Sequence, residues 1–279
     1  MPAVNQRNSF VLLIIKLYSM STKTIQGKLW SVAPQYWARH FEPWFLPMYK
    51  KTLEQLELTE EHLLLDAGCG AGLFSSLAIK AGAQVIGVDA APGLLEVAKQ
   101  RNPRNNFLEE DLESLPFADN SFDVVTGFNS FQYAGSFEKA LAEAKRVLKP
   151  GGKLVLGIWD KPETSDATNV LKAIGALLPP PPPGTPGPFA LSEDGKIEST
   201  FKNNGLKLVY KTTVACPFLY ASLADGIKSF MGTGPAAAAM INSKQETVEE
   251  TISMALQLYL VADDFHFLQN QFLVFIARK

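Results

Sequence analysis

The sequence contains little cysteine, little histidine and no excess of charge. Its 279 residues include two cysteines and three histidines, and the formal net charge is −2. Because no basic stripe is present, we expect no nucleic-acid partner. The two cysteines, Cys69 and Cys216, are interpreted as unpaired thiols in a reducing cytoplasm. No metal-ligand spacing links His40, His62 and His266, and we therefore expect no metal site.

The apolar run near the N-terminus is too short to cross a bilayer. It extends over six residues, from Phe10 to Ile15, and is followed by Lys16, whereas a spanning helix needs about 20 residues. The basic region before this run is small and no small-residue cleavage site follows it, so a signal peptide is only weakly supported. We expect no stable membrane insertion and interpret residues 1–23 as a disordered extension.

The most informative stretch of the sequence runs from Leu63 to Ser75. A short apolar run ends at Asp66, and three glycines follow at alternate positions, Gly68, Gly70 and Gly72. An apolar, helix-compatible stretch comes next, so the pattern predicts a strand, a tight turn and a helix. Glycine allows positive φ angles and close approach of a ligand, and the free N–H groups of a helix start attract an anion. A nucleotide-like ligand is expected.

The glycine spacing distinguishes two classes of nucleotide-binding enzyme. The dinucleotide fingerprint G-x-G-x-x-G would need glycine at position 73, where this chain has Leu73. This difference argues against an NAD(P)-dependent oxidoreductase but does not exclude that class of enzyme. The observed spacing resembles motif I of the class I S-adenosylmethionine (SAM) methyltransferases. The resemblance implies that SAM is the cofactor and that five residues of the turn bind it: Asp66, Gly68, Cys69, Gly70 and Gly72.

Acidic residues at the ends of the next two predicted strands suit the same ligand. Asp89 would accept hydrogen bonds from both ribose hydroxyls, with Ala90 beside it; the alternative is a helix N-cap before Pro92. Asp111 and Leu112 match the adenine site of the family, in which an acid binds the exocyclic amine and an apolar neighbour covers the ring. Glu109, Glu110 and Glu113 lie next to Asp111 in the sequence, and the alternative interpretation of these acids is a solvated loop.

Three later segments, residues 115–117, 120–125 and 146–156, complete the resemblance. They look like the Leu-Pro-Phe, Ser-Phe-Asp-Val-Val and Val-Leu-Lys-Pro-Gly-Gly signatures of the small-molecule branch (methyltransferase type 11), which includes the ubiquinone and menaquinone methylases. The resemblance covers roughly residues 60–160. We expect an α/β fold with a doubly wound, mostly parallel, seven-stranded Rossmann-like sheet of strand order 3-2-1-4-5-7-6.

Residues 24–57 contain three of the four tryptophans. We interpret this segment as an N-terminal aromatic lid in which Trp37 would face the sulfonium, because an aromatic ring stabilises a nearby cation. The alternative is an amphipathic helix that covers one edge of the sheet. Together with the Gly-Phe-Asn-x-Phe-Gln pattern that begins at Gly127, the segment resembles a bacterial subgroup of the class I methyltransferases.

The loop after the fourth strand is the expected acceptor site, because open α/β sheets bind ligands at that edge. Asn129, Gln132 and Tyr133 are candidates for orienting the acceptor, and Asn129 also for the cofactor. Many relatives have histidine in this loop, and an amide cannot remove a proton at pH 7. The general base is therefore unknown. Either an acceptor that ionises unaided reacts by proximity, or one of four residues serves: Tyr133, His40, Glu42 or His266.

The remaining segments complete the expected organisation. We expect a SAM-binding core at 58–178, a Pro-rich spacer at 179–190, and the rest of the sheet at 191–279, where Ser192 would cap the first helix and a helical cap would be inserted at 218–264. The expected function is SAM-dependent methyl transfer to a small, apolar or aromatic metabolite. A SAM-binding sensor or scaffold without catalysis is the second alternative.

Overall fold

The computed structural model describes residues 21–180 and 189–279. The predicted extension 1–23 and the Pro-rich spacer 179–190 therefore lie largely outside the described residues. No helix in the described part of the chain is both long and apolar enough to traverse a bilayer.

The N-terminal segment is a series of short helical pieces. These are α1 (Lys23–Trp30), α2 (Pro34–Tyr36), a π-helix (Trp37–Phe41), a 3-10 helix (Glu42–Phe45) and α3 (Leu46–Leu56). Pro34, Pro43 and Pro47 each lie in the first turn of one piece. Proline lacks the N–H that a continuous helix needs in its interior but is compatible with a first turn. The three prolines therefore divide the segment and let its aromatic side chains turn toward the sheet.

The central part of the chain alternates strands and helices. Its elements are β1 (Leu63–Ala67), α4 (Leu73–Lys80), β2 (Gln84–Asp89), α5 (Pro92–Arg101), β3 (Asn106–Glu109), β4 (Phe122–Phe128), α6 (Phe137–Val147), β5 (Leu148–Trp159), α7 (Ala167–Gly175), α8 (Lys196–Asn203) and β6 (Lys207–Ala215). Short 3-10 helices occur at Phe131–Tyr133, Pro162–Thr164, Ala190–Ser192 and Gln257–Tyr259.

The C-terminal part inserts a cap before the final strand. The cap contains β7 (Phe218–Tyr220), α9 (Leu223–Met231), α10 (Gly234–Asn242), α11 (Gln245–Leu256), β8 (Leu260–Ala262) and β9 (Phe265–Leu268), and β10 (Gln271–Arg278) follows it.

The main sheet has the order β3-β2-β1-β4-β5-β10-β6. The strands from β3 to β5 are parallel, and β10 runs antiparallel to both β5 and β6. With β10 as the seventh strand of this sheet, the predicted order 3-2-1-4-5-7-6 and the predicted fold class are confirmed. Strand β4 is buried along nearly its whole length, as expected for a parallel strand covered on both faces.

Helices cover both faces of the sheet. On one face α6 turns its buried stripe of Ala140, Leu141, Ala144 and Val147 toward the strands, and the side chain of Ser136 caps its first turn. On the other face Phe45, Met48 and the cap share one core with the sheet. The N-terminal segment is thus an integral part of the folded unit.

One prediction about the C-terminal part was wrong, and the structure adds a feature to the cap. The insertion contains the expected helices, and in addition β7, β9 and β8 form a three-stranded antiparallel sheet, in which burial alternates along β7 and β9. The first helix after the spacer begins at Lys196, after Gly195 with φ +73°. Ser192 does not cap it, since its hydroxyl donates instead to the carbonyl of Trp159 at 2.7 Å.

A buried ion pair fixes the N-terminal segment to the core. Glu42 is 2% exposed, and its Oε2 accepts a hydrogen bond from Arg101 Nη1 of α5 at 2.6 Å. Its Oε1 accepts from the backbone N–H of Leu73, the first residue of α4. The same Arg101 also donates to the carbonyls of Ala71 and Ala38. Burial raises the pKa of Glu42 to about 7 against the opposing effect of Arg101.

Replacing Arg101→Met should destabilise the protein by about 3–5 kcal/mol at pH 8, because it leaves the Glu42 carboxylate buried and unpaired. The raised pKa means that the folded state binds a proton more readily than the unfolded state does. The loss of stability should therefore be smaller at pH 6, where the Glu42 carboxyl is protonated. Urea unfolding at both pH values measures this.

The control is Lys149→Met, which removes the partner of Asp123 in a more exposed pair with an N–O distance of 2.8 Å. We expect a loss of about 1 kcal/mol or less for this pair, and no recovery at pH 6. A loss for Arg101→Met that is independent of pH would contradict this role of Glu42.

Candidate functional site

A pocket opens at the carboxyl ends of the central strands, beneath α1. Its volume is about 690 Å³ with its open mouth included. The residues that line it are Thr22, Lys23, Gln26, Trp30, Trp37, Gly68, Gly70, Asp89, Ala90, Leu94, Glu110, Asp111, Leu112, Phe128, Asn129, Ser130, Tyr133 and Ala134. The pocket therefore combines the ends of four strands with a cover from the N-terminal segment.

The pocket residues follow the order of the strands. Asp111 lies just after β3, Asp89 ends β2, Gly70 follows β1 and Asn129 follows β4. These four strands are neighbours in the order β3-β2-β1-β4. The strand order reverses at β1, with β2 and β3 on one side of it and β4 on the other, and doubly wound sheets form a binding crevice at such a position. An elongated ligand would thus contact the four positions in sequence.

The three glycines of the first turn have different roles. Gly68, Gly70 and Gly72 all have positive φ angles, of +80°, +53° and +76°. A Cβ at Gly68 would lie 2.1 Å from the Cβ of Ser130, and one at Gly72 would lie 2.9 Å from that of Ala98. Packing inside the protein therefore requires glycine at both positions. Only Gly70 has space beside it, since the nearest atom to its missing Cβ is Trp37 Nε1 at 3.4 Å.

Three of the predicted turn residues lie behind the pocket wall: Asp66, Cys69 and Gly72. Asp66 is 2% exposed and accepts hydrogen bonds from the hydroxyls of Ser75 and Thr126; burial raises its pKa to about 6. Cys69 is buried, and burial raises the pKa of its thiol well above the usual value. Asp66 thus joins β1 to α4 and β4 and supports the turn from within.

Asp89 faces the pocket and organises the backbone around it. Its Oδ2 accepts from the N–H of Gly70 at 2.8 Å, and its Oδ1 accepts from that of Ala91 at 2.9 Å. Ala91 is the N-cap residue of α5, and no side chain caps that helix, so Asp89 contacts the start of the helix without being its N-cap. Burial raises the pKa of this carboxyl. Each carboxylate oxygen retains an acceptor position, which leaves room for two ribose hydroxyls.

Four acids lie at or just after the end of β3, and only two of them line the pocket. Glu110 and Asp111 line it, together with Leu112, whereas Glu109 and Glu113 do not. Glu113 instead accepts from the N–H of Ser136 at 3.1 Å. The predicted adenine-binding pair, Asp111 and Leu112, is therefore placed at the β3 end of the pocket.

Helix α1 closes the pocket from above. The hydroxyl of Thr22 donates to the carbonyl of Tyr133, and Lys23 Nζ donates to that of Glu109 at 3.0 Å. The ring of Trp30 lies 4.9 Å from that of Trp37 and 5.4 Å from that of Tyr133, between ring centroids. The cover therefore contacts the rim of the pocket on both sides. Sequence reasoning missed Thr22, Lys23 and Gln26, and only the clustering of aromatics around Trp30 pointed to this element.

Two of the three predicted acceptor-orienting residues line the pocket. Asn129 has a φ angle of +49°, which is uncommon for a non-glycine residue, and its buried Nδ2 has no hydrogen-bond partner. Tyr133 also lines the pocket, and burial raises its pKa to about 12. Gln132 lies outside the lining and donates to Asn129 Oδ1 at 3.4 Å. Tyr133 thus keeps its proton at neutral pH.

The other three candidate bases lie outside the pocket lining. His40 Nδ1 is 3.8 Å from Asp225 Oδ1, and burial lowers its pKa. His266 is buried in the small sheet, with Nδ1 2.9 Å from the carbonyl oxygen of Asp264. Glu42 is engaged by Arg101. Among the residues that the structure describes, no histidine borders the pocket, and no group of three or more acids, histidines and cysteines could hold a metal ion.

The pocket fits a ligand such as SAM. Two buried donors that line it, Trp37 Nε1 and Asn129 Nδ2, have no partner in the protein. Unpaired buried donors are costly, so their placement around one cavity points to a ligand with acceptor groups. Carboxylates at Asp89 and Asp111 provide the opposite chemistry for hydroxyl and amine groups.

Comparisons with known proteins agree with this arrangement. Residues 65–156 match the family model described as a methyltransferase domain. Over 99 residues the chain is 43% identical to the demethylmenaquinone methyltransferase of Renibacterium salmoninarum, which covers 36% of this chain and 42% of that protein. Over 92 residues it is 40% identical to the malonyl-[acyl-carrier protein] O-methyltransferase of Serratia marcescens, which covers 33% and 36%.

A solved structure shows the same fold. The chain superposes on the YcgJ protein from Bacillus subtilis with a TM-score of 0.54 and 22% identity, over 83% of this chain and 97% of that one. Residues 65–156 thus match the methyltransferase domain of the class I small-molecule methyltransferases, which use SAM as their cofactor. The predicted resemblance and cofactor are thus confirmed, and an NAD(P)-dependent oxidoreductase is not favoured. The chain spans less than half the length of the two sequence relatives named above.

Replacing Asp89→Ala should weaken SAM binding by about 2–3 kcal/mol, because a charged acceptor for two hydroxyls is lost. Isothermal titration calorimetry measures the dissociation constant. Glu113→Ala is the matched control, since Glu113 also accepts a backbone N–H but lies outside the pocket. An unchanged dissociation constant for Asp89→Ala would mean that Asp89 only contacts the start of α5 and does not bind SAM.

Proposed function

We propose that this protein transfers the methyl group of SAM to a small, apolar or aromatic metabolite. The observation that carries the proposal is the single pocket in which Asp111, Asp89, Gly70 and Asn129 follow one another along the carboxyl edge of the sheet. The walls contributed by Trp30, Trp37 and Phe128 favour an acceptor with an apolar or aromatic body.

The chain's own residues support catalysis by alignment. SAM supplies an electrophilic methyl group on a sulfonium. Asp89 and Asp111 would fix the nucleoside, Trp37 would face the sulfonium charge, and α1 would exclude water from the pocket. Asn129 Nδ2, which has no partner in the protein, would orient the acceptor. Alignment of this kind can supply most of the rate for a displacement reaction.

The three acids of the described pocket wall, Asp89, Glu110 and Asp111, all lie at the ends of β2 and β3, where the nucleoside would bind, so none of them is placed to remove a proton from the acceptor. Tyr133 keeps its proton, since its pKa is raised to about 12. We therefore propose that the acceptor loses its proton without help from a protein base. The relatives named above, which are methyltransferases, do not favour the alternative of a SAM-binding sensor without catalysis.

Three further properties belong to this proposal. The low charge, −2 over the whole sequence, supports a small-molecule partner over a nucleic acid. The unpaired and buried thiols of Cys69 and Cys216 support a reducing compartment, for which we propose the cytoplasm. The contacts of Thr22 and Lys23 support the interpretation of the N-terminal segment as a lid, although only α1 reaches over the pocket.

Methyl transfer from labelled SAM into a fractionated metabolite extract tests the function. We expect label in a small, chloroform-soluble product, and loss of that label for Asp89→Ala. Tyr133→Phe should keep the rate within about threefold, whereas loss of a general base costs on the order of 100-fold or more. SAM binding without label transfer to any fraction would favour the sensor.

Limited trypsin digestion tests the lid. Cleavage after Lys28, an exposed residue of α1, should slow when SAM is added, because ligand binding orders a locally mobile element. Cleavage within α6 should not change. Gly27→Ala should accelerate cleavage after Lys28, since a Cβ there would lie 2.2 Å from the carbonyl oxygen of Ala90. Equal rates at Lys28 with and without saturating SAM would argue for a permanently packed helix.

A further inference from the structure

A small gap beside Gly70 is bordered by two polar atoms of the N-terminal segment. A Cβ built on Gly70 would lie 3.4 Å from Trp37 Nε1 and 3.8 Å from Glu42 Oε1. Gly70 and Trp37 line the pocket, and Glu42 lies directly behind them. The absence of a side chain at Gly70 therefore leaves space for a small group beside both atoms.

The two atoms have complementary chemistry. Trp37 Nε1 is a buried donor with no partner, while its ring stacks on Phe41 with centroids 5.0 Å apart. Glu42 Oε1 accepts one hydrogen bond, from the N–H of Leu73 at 3.2 Å, and a carboxylate oxygen can accept a second. Arg101 occupies the other oxygen, Oε2. The gap thus presents one free donor and one free acceptor side by side.

The order of the pocket indicates which part of the cofactor reaches this gap. Asp111 after β3 and Asp89 at the end of β2 are placed for the nucleoside, so the rest of the ligand extends toward β1 and β4. Gly70 follows β1. The amino-acid end of SAM is a zwitterion, with a carboxylate that needs donors and an ammonium that needs acceptors.

We propose that Trp37 and Glu42 bind this amino-acid end, an assignment that rests on the proposed use of SAM. Trp37 Nε1–H donates to the cofactor carboxylate, and Glu42 Oε1 accepts from the cofactor ammonium. The ammonium and Arg101 then flank the Glu42 carboxylate with positive charge on both sides, which compensates for its burial. Glu42 is therefore a cofactor-binding residue and does not act as the general base.

Paired ligands with and without the amino-acid end test this assignment. S-adenosylhomocysteine contains the amino-acid end, whereas 5′-methylthioadenosine shares the nucleoside and lacks it. Calorimetry on the full chain would compare wild type, Glu42→Gln and Trp37→Phe. Glu42→Gln keeps the size of the side chain, and Trp37→Phe keeps a ring that can stack on Phe41.

We expect each substitution to weaken S-adenosylhomocysteine about tenfold or more, the effect of one hydrogen bond to a charged group. The dissociation constant of 5′-methylthioadenosine should change less than about twofold. Gly70→Ala, which fills the gap, should show the same selectivity. Gly195→Ala is its control, because Gly195 has a similar φ angle of +73° and no atom near its missing Cβ.

The outcomes distinguish a failure of this assignment from a failure of the proposed function. Equal weakening of both ligands, or no weakening of S-adenosylhomocysteine, would overturn the assignment of Trp37 and Glu42 while leaving SAM use intact. Failure of the wild-type protein to bind either ligand would overturn the proposed function itself.

Discussion

The parallel pairing of β1 with β2 on one side and β4 on the other is the constraint on which the site depends. Hydrogen-bonded parallel strands end at one edge, so the residues that follow β3, β2, β1 and β4 meet there even though they are far apart in the chain. Asp66 reinforces this arrangement from inside, since it joins β1 to Ser75 of α4 and Thr126 of β4. The pocket is therefore a property of the sheet, and the loops determine only its chemistry.

The N-terminal segment adds what the sheet cannot provide. The sheet edge offers carboxylates and backbone groups, whereas the aromatic rings and the buried Glu42 come from residues before β1. The Glu42–Arg101 pair fixes the segment to the start of α4 and the end of α5, so that Trp37 is positioned on the glycine turn. The Glu42–Arg101 pair near Trp37 and the contacts of Thr22 and Lys23 with the pocket rim let one segment both support and cover the pocket.

Much of the fold could be predicted from the sequence, because local patterns carry it. The glycine turn, the acids at strand ends and the Pro-Gly-Gly connection are short signals, and they carried the family resemblance that implied the observed strand order. The separate roles of Gly68 and Gly70 could not be predicted, since they depend on Ser130 and Trp37, which only the tertiary structure brings near. The partner of Glu42 is 59 residues away in sequence. The small sheet of the cap was missed because its strands are three or four residues long.

The position of β10 has a consequence for how the protein is synthesised. This strand, at residues 271–278, lies between β5 and β6 and forms hydrogen bonds to both. Until it has left the ribosome, β5 and β6 each expose an unpaired edge, which is a template for pairing with other chains. The strands that carry the pocket all precede β5, so this half of the sheet can pair early during translation, before β5 and β6 have β10 as a partner. Nascent chains that stall before residue 271 would therefore be the form most prone to aggregate.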